Sequence, residues 1–165
     1  MSIITPSDIS TLARPCYADT PVAIAAITEA ETMDIRPRLG TTLYNALSEE
    51  RCAVLLKGGD YTDSCGATRS FVGIKTALAY YAYARIVRQG GLSVTRYGVV
   101  RKEEEYSDNA PLNERMATYN ECFALADEML NGCLEYVTAN ASIFPEYEGC
   151  GRLKNNRIKY RIIGE

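Results

Sequence analysis

Between Pro111 and Val137 the apolar residues fall at Leu112, Met116, Tyr119, Phe123, Ala126, Leu130, Leu134 and Val137, at intervals of three and four. Only an α-helix brings residues so spaced to one side. At 1.5 Å per residue the helix is ~40 Å long, as long as a small bundle, and its apolar stripe has to be covered along its length. Asn109-Ala110-Pro111 supplies the start signal. Cys122 and Cys133 lie three turns apart on this helix, near one side but too far apart to bridge or to share a metal.

The partners of this helix are legible upstream. Thr5-Pro6 opens a short helix that Arg14-Pro15 ends, and Thr20-Pro21 opens a second over Val22 to Arg36, ended by Pro37 and Gly40. In that second helix Ile24, Ile27, Ala30 and Ile35 or Met33 are expected near one face. Thr41-Thr42 caps a third piece, a related stretch from Arg51 to Leu56 stops at Gly58-Gly59, and Asp60 to Thr68 reads as a polar loop. From Ser70 to about Arg88 the chain is apolar on two stripes, one through Phe71, Ile74, Leu78 and Tyr81, the other through Val72, Ala79, Tyr83 and Val87. A helix apolar nearly all round is either central in its own domain or shared with a neighbouring subunit. The tyrosines Tyr80, Tyr81 and Tyr83 favour the shared case, because tyrosine combines apolar area with a polar tip and is enriched at interfaces.

Gln89-Gly90-Gly91 breaks that helix, and the β-branched run Leu92 to Val100 predicts an extended or hairpin excursion between the last two long helices. After Asn140 the character changes. Ile158, Tyr160 and Ile162 alternate with Lys159 and Arg161, a short strand pattern that needs a partner, either Val94 to Val100 or a neighbouring subunit. The expected fold is therefore mainly α: a small helical bundle over residues 1–140 with one hairpin excursion, and an extended basic C-terminal arm over residues 141–165.

Composition narrows the chemistry. The chain of 165 residues has no histidine, which removes the Ser-His-Asp and Cys-His nucleophile systems and every His-ligated metal site. No phosphate loop is present, the Asp60, Thr62, Ser64 series lacks the closing glutamate of a calcium loop, and Glu103-Glu104-Glu105 fits a solvated acidic face. The six cysteines form no CxxC pair and read as free, largely buried thiols of a reducing cytosol. No catalytic, cofactor or metal site is expected, and the chain is not expected to be an enzyme. Nor does a signal peptide or an apolar stretch of membrane-spanning length appear, so a soluble protein without membrane contact is expected. The net charge of −3 is unevenly divided: residues 149–165 hold five basic residues against one acid, leaving −7 on the rest. The basic tail is solvated charge, a docking segment for an acidic protein surface, or a nucleic-acid contact; its alternating apolar residues favour docking.

From Leu39 onward the residues resemble a known family. The resemblance is carried by Leu39-Gly40 with Leu43-Tyr44, by Leu55-Leu56-Lys57-Gly58-Gly59-Asp60-Tyr61, by the helix from Gly73-Ile74-Lys75 to Ala84-Arg85, by Val94 to Lys102 with Tyr106-Ser107, and by the long last helix. It is similar to the head-tail connector (adaptor, or head-completion) proteins of tailed bacteriophages, of the type found in Bacteroides phages and prophages, including the ring proteins of crAss-like phages. The resemblance implies a structural virion protein of the head-tail neck, assembled in the host cytoplasm as a closed ring of about twelve copies. The ring joins the capsid to the tail below the portal and extends the channel through which double-stranded DNA passes without sequence-specific binding. Arg96, Tyr97, Val99, Val100 and Lys102 would then contact the portal or an adjacent tail or ring protein, with Tyr80 and Tyr83 at the subunit interface. Arg157, Ile158, Tyr160 and Ile162 would anchor the arm on a neighbour. The bland alternatives are a hairpin covering its own bundle and a disordered C-terminus. The rival from another class is a small cytosolic helical regulatory or scaffold module that binds a protein partner.

Overall fold

The computed structural model describes residues 2–63, 65–90, 92–95, 98–101 and 110–147, with the backbone alone for 92–95 and 98–101. The elements in chain order are α1 (Pro6–Leu12), α2 (Thr20–Ala30), a π-helical turn (Glu31–Ile35), α3 (Arg36–Leu39), α4 (Thr41–Ala46), a 3₁₀ turn (Glu50–Cys52) and α5 (Ala53–Lys57). They are followed by strands β1 (Gly58–Thr62) and β2 (Thr68–Val72), α6 (Ile74–Gln89), strands β3 (Leu92–Thr95) and β4 (Gly98–Arg101), and α7 (Leu112–Ala139). The fold is mainly helical, as the periodicity requires.

α6 is the centre of the bundle. α7 packs along one side of it and α2 along another, with α1 and α5 closing the remainder. Ile74, Ala77, Leu78, Ala79, Tyr81, Ala82 and Ala84 are all fully buried, so the first apolar stripe is covered within one chain, while of the second Ala79 is buried, Tyr83 and Val87 are half-buried, and Val72 belongs to β2 and is exposed. Helix α2 presents Ala23, Ala26, Ile27 and Ala30 inward. Small residues on both helices permit close approach, which is why Ile24 (51% exposed) and Met33 (68% exposed) face outward, against the expected inward face. Pro37 does not end this helix. The π-helical turn, in which the Arg36 N–H donates to the Glu31 carbonyl, carries the chain past the proline that cannot donate. Gly40, at φ 80°, then stops α3.

α7 buries Cys122, Ala126, Leu130, Cys133, Tyr136 and Val137. This face is rotated slightly from the predicted stripe, and Leu112 at its start is 64% exposed. Against the C-terminal half of α7 lies a correction to the sequence reading. Residues 58–72 form an antiparallel hairpin, β1 with β2, in the register Gly58↔Val72, Asp60↔Ser70 and Thr62↔Thr68. A glycine-rich strand carries little alternation; what holds this one is aromatic packing, with Tyr61 edge-on to Phe71 (5.9 Å) and Tyr136 (5.4 Å), and Phe71 stacked on Tyr136 at 4.5 Å. The stretch that superficially resembles a calcium loop is the turn of this hairpin. Asp63 accepts backbone N–H bonds from Cys65 and Ala67 and pairs with Arg69 at 2.7 Å, and Arg69 and those N–H groups hold its carboxyl below the usual range.

The expected excursion between α6 and α7 is a second hairpin, with Leu92 opposite Arg101 and Val94 opposite Val99. The boundary expected at residue 140 lies later. After α7 the chain turns back, burying Phe144 (1% exposed) against Tyr136. Arg51 fastens this turn through Glu146 (2.6 Å) and the Ile143 carbonyl (2.8 Å). The body therefore reaches Tyr147; the rest of the predicted arm, residues 148–165, lies outside the described residues.

Gly58 and Gly73 sit back to back where the hairpin meets α5 and α6. A Cβ on Gly73 would lie 2.3 Å from the Leu56 carbonyl oxygen and 2.4 Å from the Gly58 nitrogen, whereas one on Gly59 would meet only Val54 Cγ1 at 3.6 Å. Gly73→Ala is therefore expected to cost at least about 2 kcal/mol and Gly59→Ala less than about 0.5 kcal/mol, as read from urea midpoints. Glu146 is held below its usual value of 4.5 by its bonds to Arg51. Its contribution is present above that value and lost as the pH falls through the lower, folded value. Glu146→Gln should accordingly flatten the acid side of the melting temperature's pH dependence.

Candidate interaction site

The residues expected to act fall in three places. Tyr80 and Tyr83 are half-buried on α6 and packed against the core, so they serve this chain's own fold. Val99 and Val100 lie in β4, opposite Val94 and Ser93. Arg96, Tyr97, Lys102, Arg157, Ile158, Tyr160 and Ile162 lie outside the described residues. The β3 and β4 strands pair with each other, whereas α7 covers β1 and β2.

Polar chemistry concentrates where the π-helical turn, α6 and α7 meet. Arg85 Nη2 lies 2.7 Å from Asp34 Oδ2 and its Nε is 3.7 Å from Glu29. Four residues earlier on α6, the Tyr81 hydroxyl donates to Asp127 Oδ1 at 2.5 Å, and Arg38 donates to the same oxygen at 3.1 Å and to Asn131. Burial pushes the Tyr81 hydroxyl's pKa up, and its bond to Asp127 adds to this. Burial also raises Asp34, against the pull of Arg85. These pairs clamp α2, the π-helical turn, α3, α6 and α7 together. The cysteines behave similarly: burial raises the thiols of Cys52 and Cys122, and pushes Cys133 up to about 12 while its Sγ donates to the Val72 carbonyl. Among the described residues no group of three or more His, Cys, Asp or Glu is placed to hold a metal ion.

Two surface features escaped the sequence reading. The first is an open groove of about 300 Å³ between β2 and α7, lined by Phe71, Val72, Leu125, Met129 and Gly132 with Glu128 at its rim. Val72 on its wall is 44% exposed. The groove exists because β2 crosses α7 at Gly132, where the missing side chain leaves a gap beneath Phe71. The second is a stripe of exposed glutamates on α7, Glu114, Glu121, Glu128 and Glu135, seven residues apart and so on one side of the helix. Their seven-residue spacing is a property of the sequence, overlaid on the apolar repeat of the same helix. Glu121 pairs with Arg14 at 2.7 Å and Glu135 with Arg69 at 3.7 Å; Glu128, beside the groove, meets no basic group among the described residues.

Residues 35–157 match the model of a family of unknown function, DUF6712. The chain belongs to that family. No curated protein and no solved structure matches it. The DUF6712 segment begins inside the π-helical turn, so α1 and α2 lie ahead of it although α2 packs on α6. It runs past the body into the basic segment, through Arg152, Lys154 and Arg157.

The Tyr81 to Asp127 bond gives a direct check on the clamp. Tyr81→Phe should cost about 1.5–3 kcal/mol, the worth of a hydrogen bond to a charged partner, in urea unfolding, with the helical circular dichroism of the folded state unchanged.

Proposed function

We propose that this DUF6712 protein is a structural component of a phage neck: a head-tail connector that assembles into a ring below the portal and extends the DNA channel. The observation that carries this reading is the placement of the β3–β4 hairpin. It joins two long, mutually packed helices, at the position where the resemblance to connector proteins puts the excursion that touches the portal or the next ring. A rigid bundle that offers one hairpin and one basic tail has two different contact surfaces, which is what a head-to-tail ring needs. The acidic body suits a channel wall along which DNA slides, because lysine and arginine contacts to phosphate are what produce binding. In this reading the protein is found in the virion; no helix among the described residues is long and apolar enough to cross a membrane.

One observation favours a second reading, a monomeric helical module that binds a protein partner: α6 is apolar nearly all round but is covered within its own chain. Light scattering across a range of concentrations, with and without a candidate portal, separates the two. A closed ring near about twelve subunits, or a ring that forms only with the portal, is the expected outcome. A monomer at every concentration that ignores the portal would establish the module instead.

A further inference from the structure

We propose that the groove between β2 and α7 is the receptor for the basic C-terminal segment of a second copy of this chain. The inference rests on the ring reading above and names the contact that closes it. The groove is lined by the apolar Phe71, Val72, Leu125 and Met129 with Gly132, and by the polar Ser70 and Glu128. The C-terminal segment has a complementary sequence pattern: in an extended conformation Ile158, Tyr160 and Ile162 would share one side, with Arg157, Lys159 and Arg161 alternating with them. Long basic side chains fold over a strand's edge while their stems stay on apolar surface, which brings their charges to the rim carboxylates. Glu114 and Glu128 are the members of the glutamate stripe that meet no cation among the described residues, and Glu128 stands at the groove.

Tyr147 is packed on the core beside Phe144, and the residues from there to Ile158 could span at most ~35 Å if extended, a length that would let the segment reach beyond its own body. Groove and tail are different patches, so each copy gives a tail to one neighbour and receives one from the other, the head-to-tail arrangement that closes a ring.

Charge reversal with mixing tests this. Glu128→Arg alone, and Lys159→Glu with Arg161→Glu alone, should each weaken assembly more than about tenfold, read as the concentration at which the ring mass appears in light scattering. Combining all three changes in one chain should restore the ring. Mixing the groove variant with the tail variant should restore it too, because each then finds its match on the other. A wild-type ring indifferent to both reversals would overturn the groove assignment and leave the connector reading standing. A wild-type chain that stays monomeric with or without the portal would overturn both. Restoration in the combined chain but not in the mixture would place the tail on its own groove and overturn the second copy as its origin.

Discussion

The burial of α6 on all sides is the constraint from which the rest of the structure follows. A helix whose buried surface includes Ala77, Ala79, Ala82 and Ala84 gives neighbouring backbones close access but offers each only a little apolar area. It becomes stable only when several elements surround it together. α2 meets it with alanines of its own, α7 with Ala126 and Leu130, and the larger side chains Ile74, Leu78 and Tyr81 fill the gaps between them. That close approach dictates which residues of α2 turn outward. It also brings Arg85 and Tyr81, the polar members of α6, within reach of Asp34 and Asp127 on either side. The polar clamp is thus a consequence of the packing and makes its geometry specific.

How much of this was legible follows from where each signal sits. The long helix, the start at Pro6, the glycine stops at Gly40 and Gly58 and the hairpin between the last two long helices were read from local chemistry, because each depends on residues adjacent in sequence. The β1–β2 hairpin was missed because Gly58, Gly59 and Asp60 have no preference for a strand; its stability comes from Phe71 and Tyr136, sixty-five residues apart. Pro37 was read as a stop because the rule assumes α-helical hydrogen bonding, and a π-helical turn does not obey it. On the second helix the expected Ile27, Ala30 and Ile35 are buried, whereas Ile24 faces outward: hydrophobicity ranks isoleucine above alanine, but at a close helix crossing the space available decides, and the alanines at 23 and 26 take the inward places.

The same distinction applies to the candidate site. Two apolar stripes on α6 were compatible with a shared subunit face; the structure places Ile74, Leu78, Ala79 and Tyr81 in the chain's own core and leaves Val72 exposed. In the ring proposed above, assembly would rest on surfaces outside that core, among them the hairpin, the groove and the glutamate stripe. A self-sufficient body with separate contact elements differs physically from a subunit that folds only on joining its neighbours. In the proposed ring, the association of such a body would be governed by a few peripheral contacts whose strength can be set independently of folding.

Charge segregation bears on how such contacts would operate. The body carries −7 and the last seventeen residues +4, so isolated copies repel through their bodies while each tail is drawn to any other body. With a screening length of about 8 Å at physiological ionic strength, that attraction acts only near contact and chiefly orients the approach. In the proposed docking a tail along α7 would offset the charge of the glutamate stripe; the apolar side chains would carry most of the affinity, since exposed ion pairs are worth little, while like charges brought face to face would oppose it. An assembly held in this way would keep most of the acid of its bodies uncompensated. In the proposed ring around DNA that residual negative charge would keep the polymer from binding the wall, so that the chemistry joining the subunits and the chemistry leaving the channel free would be supplied by different ends of one chain.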